Sequence, residues 1–164
     1  MRPYPRSMLH LFNPASMNVT PLCLLSIGSI FLGAATPSAP PVETAPVTVV
    51  VSSLVSTTAA VRLYFYNTRE GFLKSGKWAF SRSVKPGGKS EFSLPVDLPK
   101  GEWAVAITQD MNNNEKVDKN FLGIPTEPYA FSNNVRPTVA APGFDECKFT
   151  VDGPGKVVSI VLKD

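Results

Sequence analysis

The chain has 164 residues, with 16 Lys and Arg against 13 Asp and Glu and a formal charge of +3, which suits one ordinary domain with an extension. Its cations are spread along the sequence instead of clustered, so no basic groove for nucleic acid is indicated. A single histidine and two cysteines leave little for imidazole chemistry or a disulfide framework.

Leu22 to Ala35 (LCLLSIGSIFLGAA) is an uncharged apolar run preceded by Arg2 and Arg6 and followed by small residues and prolines. That is a secretory signal pattern. The run falls short of the roughly eighteen apolar residues a spanning helix needs, and Ser26, Gly28 and Ser29 interrupt it, so membrane contact is expected only through a transient signal segment. Gly33-Ala34-Ala35 offers the small residues a signal peptidase reads, whereas a cut after Ala39 would leave Pro40 next; residues 1–35 are assigned to the signal peptide. Met17 is an alternative start. Thr20-Pro21-Leu22 lacks the small neighbour of a lipid-attachment cysteine at Cys23. The expectation is export to a periplasmic or extracellular space.

Loss of the leader would remove His10 and Cys23, excluding Ser-His-Asp or Cys-His catalysis and His-ligated zinc or copper, and leaving Cys147 without an intrachain partner. The charge would fall to +1, because Arg2 and Arg6 depart and the leader contains no acid.

Residues 36–46 (TPSAPPVETAP) are rich in Pro and Ala and read as a solvated linker. The domain is placed at 47–164. Short β-branched or aromatic runs separated by Gly, Pro and Asn then recur without a helical period, which indicates an all-β fold. The runs Val47–Val55 and Ala60–Asn67 are expected to pair as a hairpin, with Val61, Leu63 and Phe65 on one face and Arg62, Tyr64 and Tyr66 on the other. Lys77–Val84 and Glu91–Val96 follow around a Lys85-Pro86-Gly87-Gly88 turn, and Pro95 marks an edge or a strand end. After Leu98-Pro99-Lys100-Gly101 comes Glu102–Gln109, in which Trp103, Val105 and Ile107 face the core and Ala104 and Ala106 the other side. Cys147–Val151 and Lys156–Leu162, around Asp152-Gly153-Pro154-Gly155, complete a two-sheet antiparallel β-sandwich of about seven strands. An open barrel is the alternative.

Asp110-Met111-Asn112-Asn113-Asn114-Glu115-Lys116-Val117-Asp118 places side-chain oxygens at relative positions 1, 3, 5 and 9 and a backbone carbonyl, that of Lys116, at position 7. Calcium loops use this spacing because alternate residues of a wound loop point at a cation that wants six to eight oxygens. Glu115 stands where an EF-hand has glycine, and Phe121 where it has a bidentate glutamate. The competing reading is turn chemistry, since Asn and Asp close turns and tolerate left-handed backbone. A calcium site here would be weak, near the ~10⁻⁴ to 10⁻³ M of extracellular modules. No other cofactor is expected.

In the next segment, Gly123 to Asn134, prolines fix the backbone, and Glu127, Tyr129, Phe131 and Asn133 are candidate ligand-binding residues for a sugar or peptide. The competing reading is an ordered connection over the sandwich end, pinned by Tyr129 and Phe131 with Asn133 satisfying backbone groups. Asp110, Asp118, Glu127, Asp145 and Glu146 are the acids from which a hydrolytic carboxylate pair would have to come. Cys147 reads as a buried structural thiol in its strand.

Leu98-Pro99-Lys100-Gly101-Glu102-Trp103-Ala104-Val105, then Asp110, Asn112, Asn114, Lys116 and Asp118, then Gly123-Ile124-Pro125, Glu127, Tyr129 and Phe131-Ser132-Asn133-Asn134 resemble the exported bacterial proteins catalogued as domain of unknown function 2141. Pro142, Phe144 and Phe149 extend the resemblance, which covers about Val47 to Leu162. It implies an exported sandwich of transthyretin-like or immunoglobulin-like style, similar also to carboxypeptidase-regulatory-like domains, and it lends no catalytic residue. That family usually has Gly where Glu115 and Ala130 stand. The expected function is a non-enzymatic binding or accessory module of the cell envelope, with a sugar or a protein as ligand and calcium steadying its loop. The alternatives are a carboxylate-dependent hydrolase of cell-surface polysaccharide and a purely structural envelope module.

Overall fold

A computed structural model describes residues 42–121, 125–138 and 140–162. The signal peptide assigned to 1–35, most of the linker assigned to 36–46, and Gly123 and Ile124 lie outside the described residues. The described chain forms β1 (Thr44–Ser52), β2 (Ala60–Tyr66), β3 (Phe80–Val84), β4 (Phe92–Pro99), β5 (Gly101–Asp110), β6 (Tyr129–Phe131), β7 (Phe149–Val151) and β8 (Lys156–Val161). A 3-10 turn at Ser132–Asn134 and one helical turn, α1 (Phe144–Cys147), join β6 to β7. The fold is nearly all β, as the alternation indicates, with eight strands in two sheets.

One sheet has the order β4-β1-β8, and the other runs β3-β2-β5-β6, with β7 pairing the first residues of β5. All neighbours are antiparallel except β1 and β8, which run parallel with Val49 opposite Val158. The hairpin expected between the first two runs does not form, because β1 and β2 belong to different sheets. Val47, Val49 and Val51 on β1 and Val61, Leu63 and Phe65 on β2 are all buried, and each set fills the core from its own sheet. Pairing them in one sheet would stack both sets on the same layer and leave the opposite layer without its apolar face.

β1 also begins earlier than expected. Thr44 pairs with Pro99 and Ala45 with Leu98, so the last residues assigned to the linker belong to the sheet. Pro46 stands just before the register with β8, which starts with Val47 opposite Lys156, and there only its carbonyl is used, accepting from Gly155 N at 3.3 Å. Pro95 lies in β4, an edge strand, as its missing donor requires. Cys147 ends a helical turn instead of opening a strand: Asp145 and Glu146 occupy its first turn, and Glu146 Oε2 accepts from Gly143 N at 2.6 Å.

Between the sheets, Trp103, Val105 and Ile107 of β5 meet β1 and Val158 and Ile160 of β8. Each such side chain contributes about 1.5–3 kcal/mol when fully buried. Phe65 stacks on Phe80 with ring centroids 4.4 Å apart, and Trp103 Nε1 donates to Pro99 O at 2.8 Å. Ala104 and Ala106 take the outer face, and there they are covered: Tyr66, Phe72, Phe131, Phe144 and Cys147 form a second apolar cluster over them.

Gln109 fixes the connection from β1 to β2. Its buried carboxamide accepts from Val55 N at 2.9 Å and Ser56 N at 3.1 Å, and donates to Ser56 O at 2.5 Å and Ala59 O at 3.3 Å. Every polar atom of the side chain is therefore used. In Gln109→Leu two backbone N–H groups and two carbonyls lose this partner, and urea unfolding is expected to show a loss of about 3 kcal/mol. Leu63→Ala, which only opens a cavity, is expected to cost about 2–5 kcal/mol without altering the loop.

Candidate functional site

β5 delivers Asp110 to the sheet edge, where the loop begins. The Asp110 side chain is buried, and its Oδ1 and Oδ2 accept from Asn114 N at 3.2 Å and Glu115 N at 2.9 Å. Arg62 Nε lies 3.7 Å from Asp110 Oδ2, and Arg62 Nη2 lies 3.6 Å from Glu115 Oε2. Asn112 Oδ1 accepts from Asn114 N at 3.1 Å, and Asn114 Oδ1 from Lys116 N at 2.8 Å. Two successive Asx turns thus wind the backbone. Asn113 and Glu115 consequently sit at φ 57 and 62, the left-handed region that Asn enters easily and Glu does not.

Asp118 closes the loop. Its Oδ2 receives Asn112 Nδ2 at 2.6 Å and Asn114 Nδ2 at 2.7 Å, while its carbonyl accepts from Thr126 N at 2.9 Å. Glu127 reaches the same place from the returning chain, held there as Gln109 N donates to Pro128 O at 2.9 Å. Glu127 Oε1 accepts from Met111 N at 3.1 Å, whereas Oε2 is buried with no hydrogen-bond partner. Burial above all raises the Glu127 pKa from its ordinary 4.5, and the Asp110 and Asp118 carboxylates add to the rise against the backbone N–H groups of Met111 and Asp118.

Asp110, Asn112, Asn114 and Asp118 therefore come together, and Glu127 joins them. Lys116 contributes its backbone to the winding, and its ammonium is exposed. Among the described residues no three His, Cys, Asp or Glu side chains are grouped to hold a metal by themselves. A hard cation here would draw on carboxamide and carbonyl oxygens as well as carboxylates. The Asn112 and Asn114 carboxamides face Asp118 with nitrogen, while their oxygens hold the two Asx turns.

Other candidates lie elsewhere. Tyr129 and Phe131 form an edge-to-face pair with centroids 5.7 Å apart. Asn133 is not with them, because its Nδ2 donates to Glu146 O at 3.0 Å and Lys148 O at 2.9 Å. Asn134 pairs with β8 through Val161 N at 2.7 Å and Ser159 O at 3.1 Å, covering the edge of the three-stranded sheet. Asp145 ion-pairs with Arg69 at 2.5 Å and Lys148 at 3.3 Å. Cys147 is buried, and burial, with Glu146 nearby, pushes its thiol up to about 12.

Two cavities border the returning segment, and the second also reaches the loop. One of about 440 Å³ is lined by Val55, Glu127, Tyr129 and Arg136. The other, about 410 Å³, lies against the outer side of β2 and β5 between Tyr64, Tyr66, Trp78, Thr108, Tyr129 and Phe131, with Lys116 and Lys119 from the loop also lining it. The sequence reading did not single out Trp78, Tyr64 or Thr108 for a site; the available signal was the outward register of Tyr64 and Tyr66.

Residues 49–159 match the family described as an uncharacterized protein conserved in bacteria (DUF2141). The chain belongs to this family. No curated protein and no solved structure shows a match to it. The match spans β5, the loop and the segment carrying Glu127, so the DUF2141 region holds all the site residues described above.

In this DUF2141 chain the left-handed Glu115 makes a direct prediction. Non-glycine residues lose roughly 1–2 kcal/mol there, while its exposed ion pair with Arg62 contributes at most about 1 kcal/mol. Glu115→Gly should therefore raise stability by about 0.5–1 kcal/mol in urea titrations. Cys147, neutral and buried, should resist a thiol-directed reagent in the native protein and react at the rate of unfolding when denaturant is added.

Proposed function

We propose that the protein is an exported, non-enzymatic binding or accessory module of the cell envelope whose Asp110–Asp118 loop, together with Glu127, holds a weakly bound calcium ion. The leader pattern at 22–35 supports export, and its removal would leave no histidine for acid-base or metal chemistry. The observation that carries the calcium reading is Glu127 Oε2, a buried carboxylate oxygen without a partner beside Asp110 and Asp118. With Asp110 and Asp118 close by and one of its oxygens unpaired, this buried carboxylate is costly as an anion, and a cation is what would offset it. Turn chemistry accounts for the Asx windings and for the Met111 N–H that Glu127 Oε1 accepts, but leaves Glu127 Oε2 unused. A hydrolytic carboxylate pair has less support, since both Asp110 oxygens accept from backbone N–H groups and Asp145 is held by Arg69 and Lys148.

With few charged ligands the affinity should lie near ~10⁻⁴ to 10⁻³ M. Calcium at about ten times Kd then adds about 1.4 kcal/mol, a rise in Tm of roughly 5 °C for a domain this size. Magnesium, which requires a tighter octahedron, should give less. Asp118→Asn and Glu127→Gln should each reduce the calcium response. An unchanged Tm at millimolar calcium, or an equal response in both variants, would sink the metal reading.

The raised Glu127 pKa sets a pH dependence. Below the ordinary 4.5 both folded and unfolded states hold the proton, so the group contributes nothing. As pH rises from there through the raised folded value, the unfolded state releases its proton first and calcium-free stability falls by this group's share. Calcium favours the carboxylate, so its affinity should strengthen over the same interval. Melting curves with and without calcium should diverge as pH rises through it, and Glu127→Gln should lessen the divergence.

A further inference from the structure

The cavity of about 410 Å³ on the outer side of the five-stranded sheet falls within the size range of small-ligand sites. Its aromatic walls are not fully covered: Tyr64, Trp78 and Tyr129 are half-buried, and Tyr64 and Trp78 lie 5.0 Å apart at a 53° tilt. Between such rings a flat, partly apolar ring finds contact on more than one side. Thr108, 6% exposed, also lines the cavity, and its Oγ1 is buried without a hydrogen-bond partner. Orphaned hydroxyls of this kind are rare, and here the orphan belongs to a residue that lines the cavity.

The charge around it is unbalanced. Glu115 pairs with Arg62, while Lys116 and Lys119 make no ion pair among the described residues and are exposed beside the aromatic walls. A purely apolar occupant would leave Thr108 Oγ1 and both ammonium groups without use. An extended peptide would instead find its natural partners at a sheet edge, where backbone donors are free. A carbohydrate carries apolar ring faces and hydroxyls together, and a carboxylate on it would meet the lysines in a charge-assisted contact.

We propose that this cavity binds one or two rings of an acidic, carboxylate-bearing carbohydrate, stacked between Tyr64, Trp78 and Tyr129, hydrogen-bonded by Thr108 and paired with Lys116 and Lys119. The proposal deepens the binding-module reading by naming the ligand class, and it does not require the calcium site. Trp78 and Thr108 are the residues that decide ring contact and hydroxyl recognition, while the two lysines select the acid.

The test is calorimetric titration of the full chain with digalacturonate and with a neutral disaccharide of the same size, each in millimolar calcium and in chelator. Digalacturonate is expected to bind more tightly than the neutral sugar, with affinity falling as salt is raised. Trp78→Ala should weaken it on the order of tenfold. Thr108→Val, which keeps shape and removes the orphaned hydroxyl, should weaken it about fivefold while the protein stays folded. The Lys116→Ala, Lys119→Ala double variant should bring the acidic sugar down to the neutral one. No heat with either sugar, equal affinity for both, or full binding by Trp78→Ala and Thr108→Val would each overturn the proposal. Sugar binding identical in calcium and chelator, with no calcium heat of its own, would remove the calcium reading and leave the carbohydrate site standing.

Discussion

The burial of β5 on both faces is the constraint on which the rest of the molecule depends. From Trp103 to Asp110 all eight residues are buried, although an antiparallel sheet ordinarily leaves one face to water. The inward set, Trp103, Val105 and Ile107, is what any sandwich core would select. The outward set is different, because Ala104 and Ala106 are small enough for Phe72, Phe131 and Phe144 to pack above the sheet. That cover needs chain, and the chain after β5 supplies it by returning through Glu127 and β6. At the far end of the same strand the cover thins, which leaves Thr108 beside a cavity, and Asp110 starts the loop that walls it.

Ser132 shows how far the packing relies on this return. Its buried hydroxyl accepts from Val105 N at 2.9 Å and donates to Cys147 O at 2.5 Å, so one atom ties β5 to α1. Buried polar groups satisfied in this way set register as well as energy, since the wrong register would strand each partner. Gln109 does the same on the opposite edge, holding the β1–β2 connection. The two side chains therefore fix what lies on either side of β5.

Much of this was legible in the sequence, but only locally. Alternation alone gave the two faces of β2 and the inward residues of β5, because period-two patterning is a property of one strand. Partner choice is not: nothing in the Val-rich run of β1 says that it pairs in parallel with Val158 and Ile160 instead of folding back on β2. Short elements were less legible: the three residues of β6 read as part of a connection, whereas the run Cys147–Val151 anticipates β7 with its start placed two residues early. The turn at Phe144–Cys147 carried one usable signal, Asp145 and Glu146 one residue after Pro142-Gly143, which outweighs the alternation that continues into Phe149. For the site, oxygen spacing exposed the loop, whereas Glu127 joins it only because the chain crosses β5 and comes back.

The loop has two sides with different chemistry, and its winding assigns them. Asp110, Asn112, Asn114 and Asp118 turn toward one another, while Lys116 and Lys119 are left to line the aromatic cavity. One backbone conformation, with Asn113 and Glu115 held left-handed, sets both arrangements. A cation bound on the inner side would favour that conformation, and a carbohydrate held on the outer side would favour it as well. Linkage then requires each to strengthen the other by the same factor. The size of that factor is bounded by how much the empty loop populates other conformations: a loop already wound by its own Asx turns has little left to gain. Strain at Glu115 works against the winding, so this chain should show more of such coupling than one with glycine there.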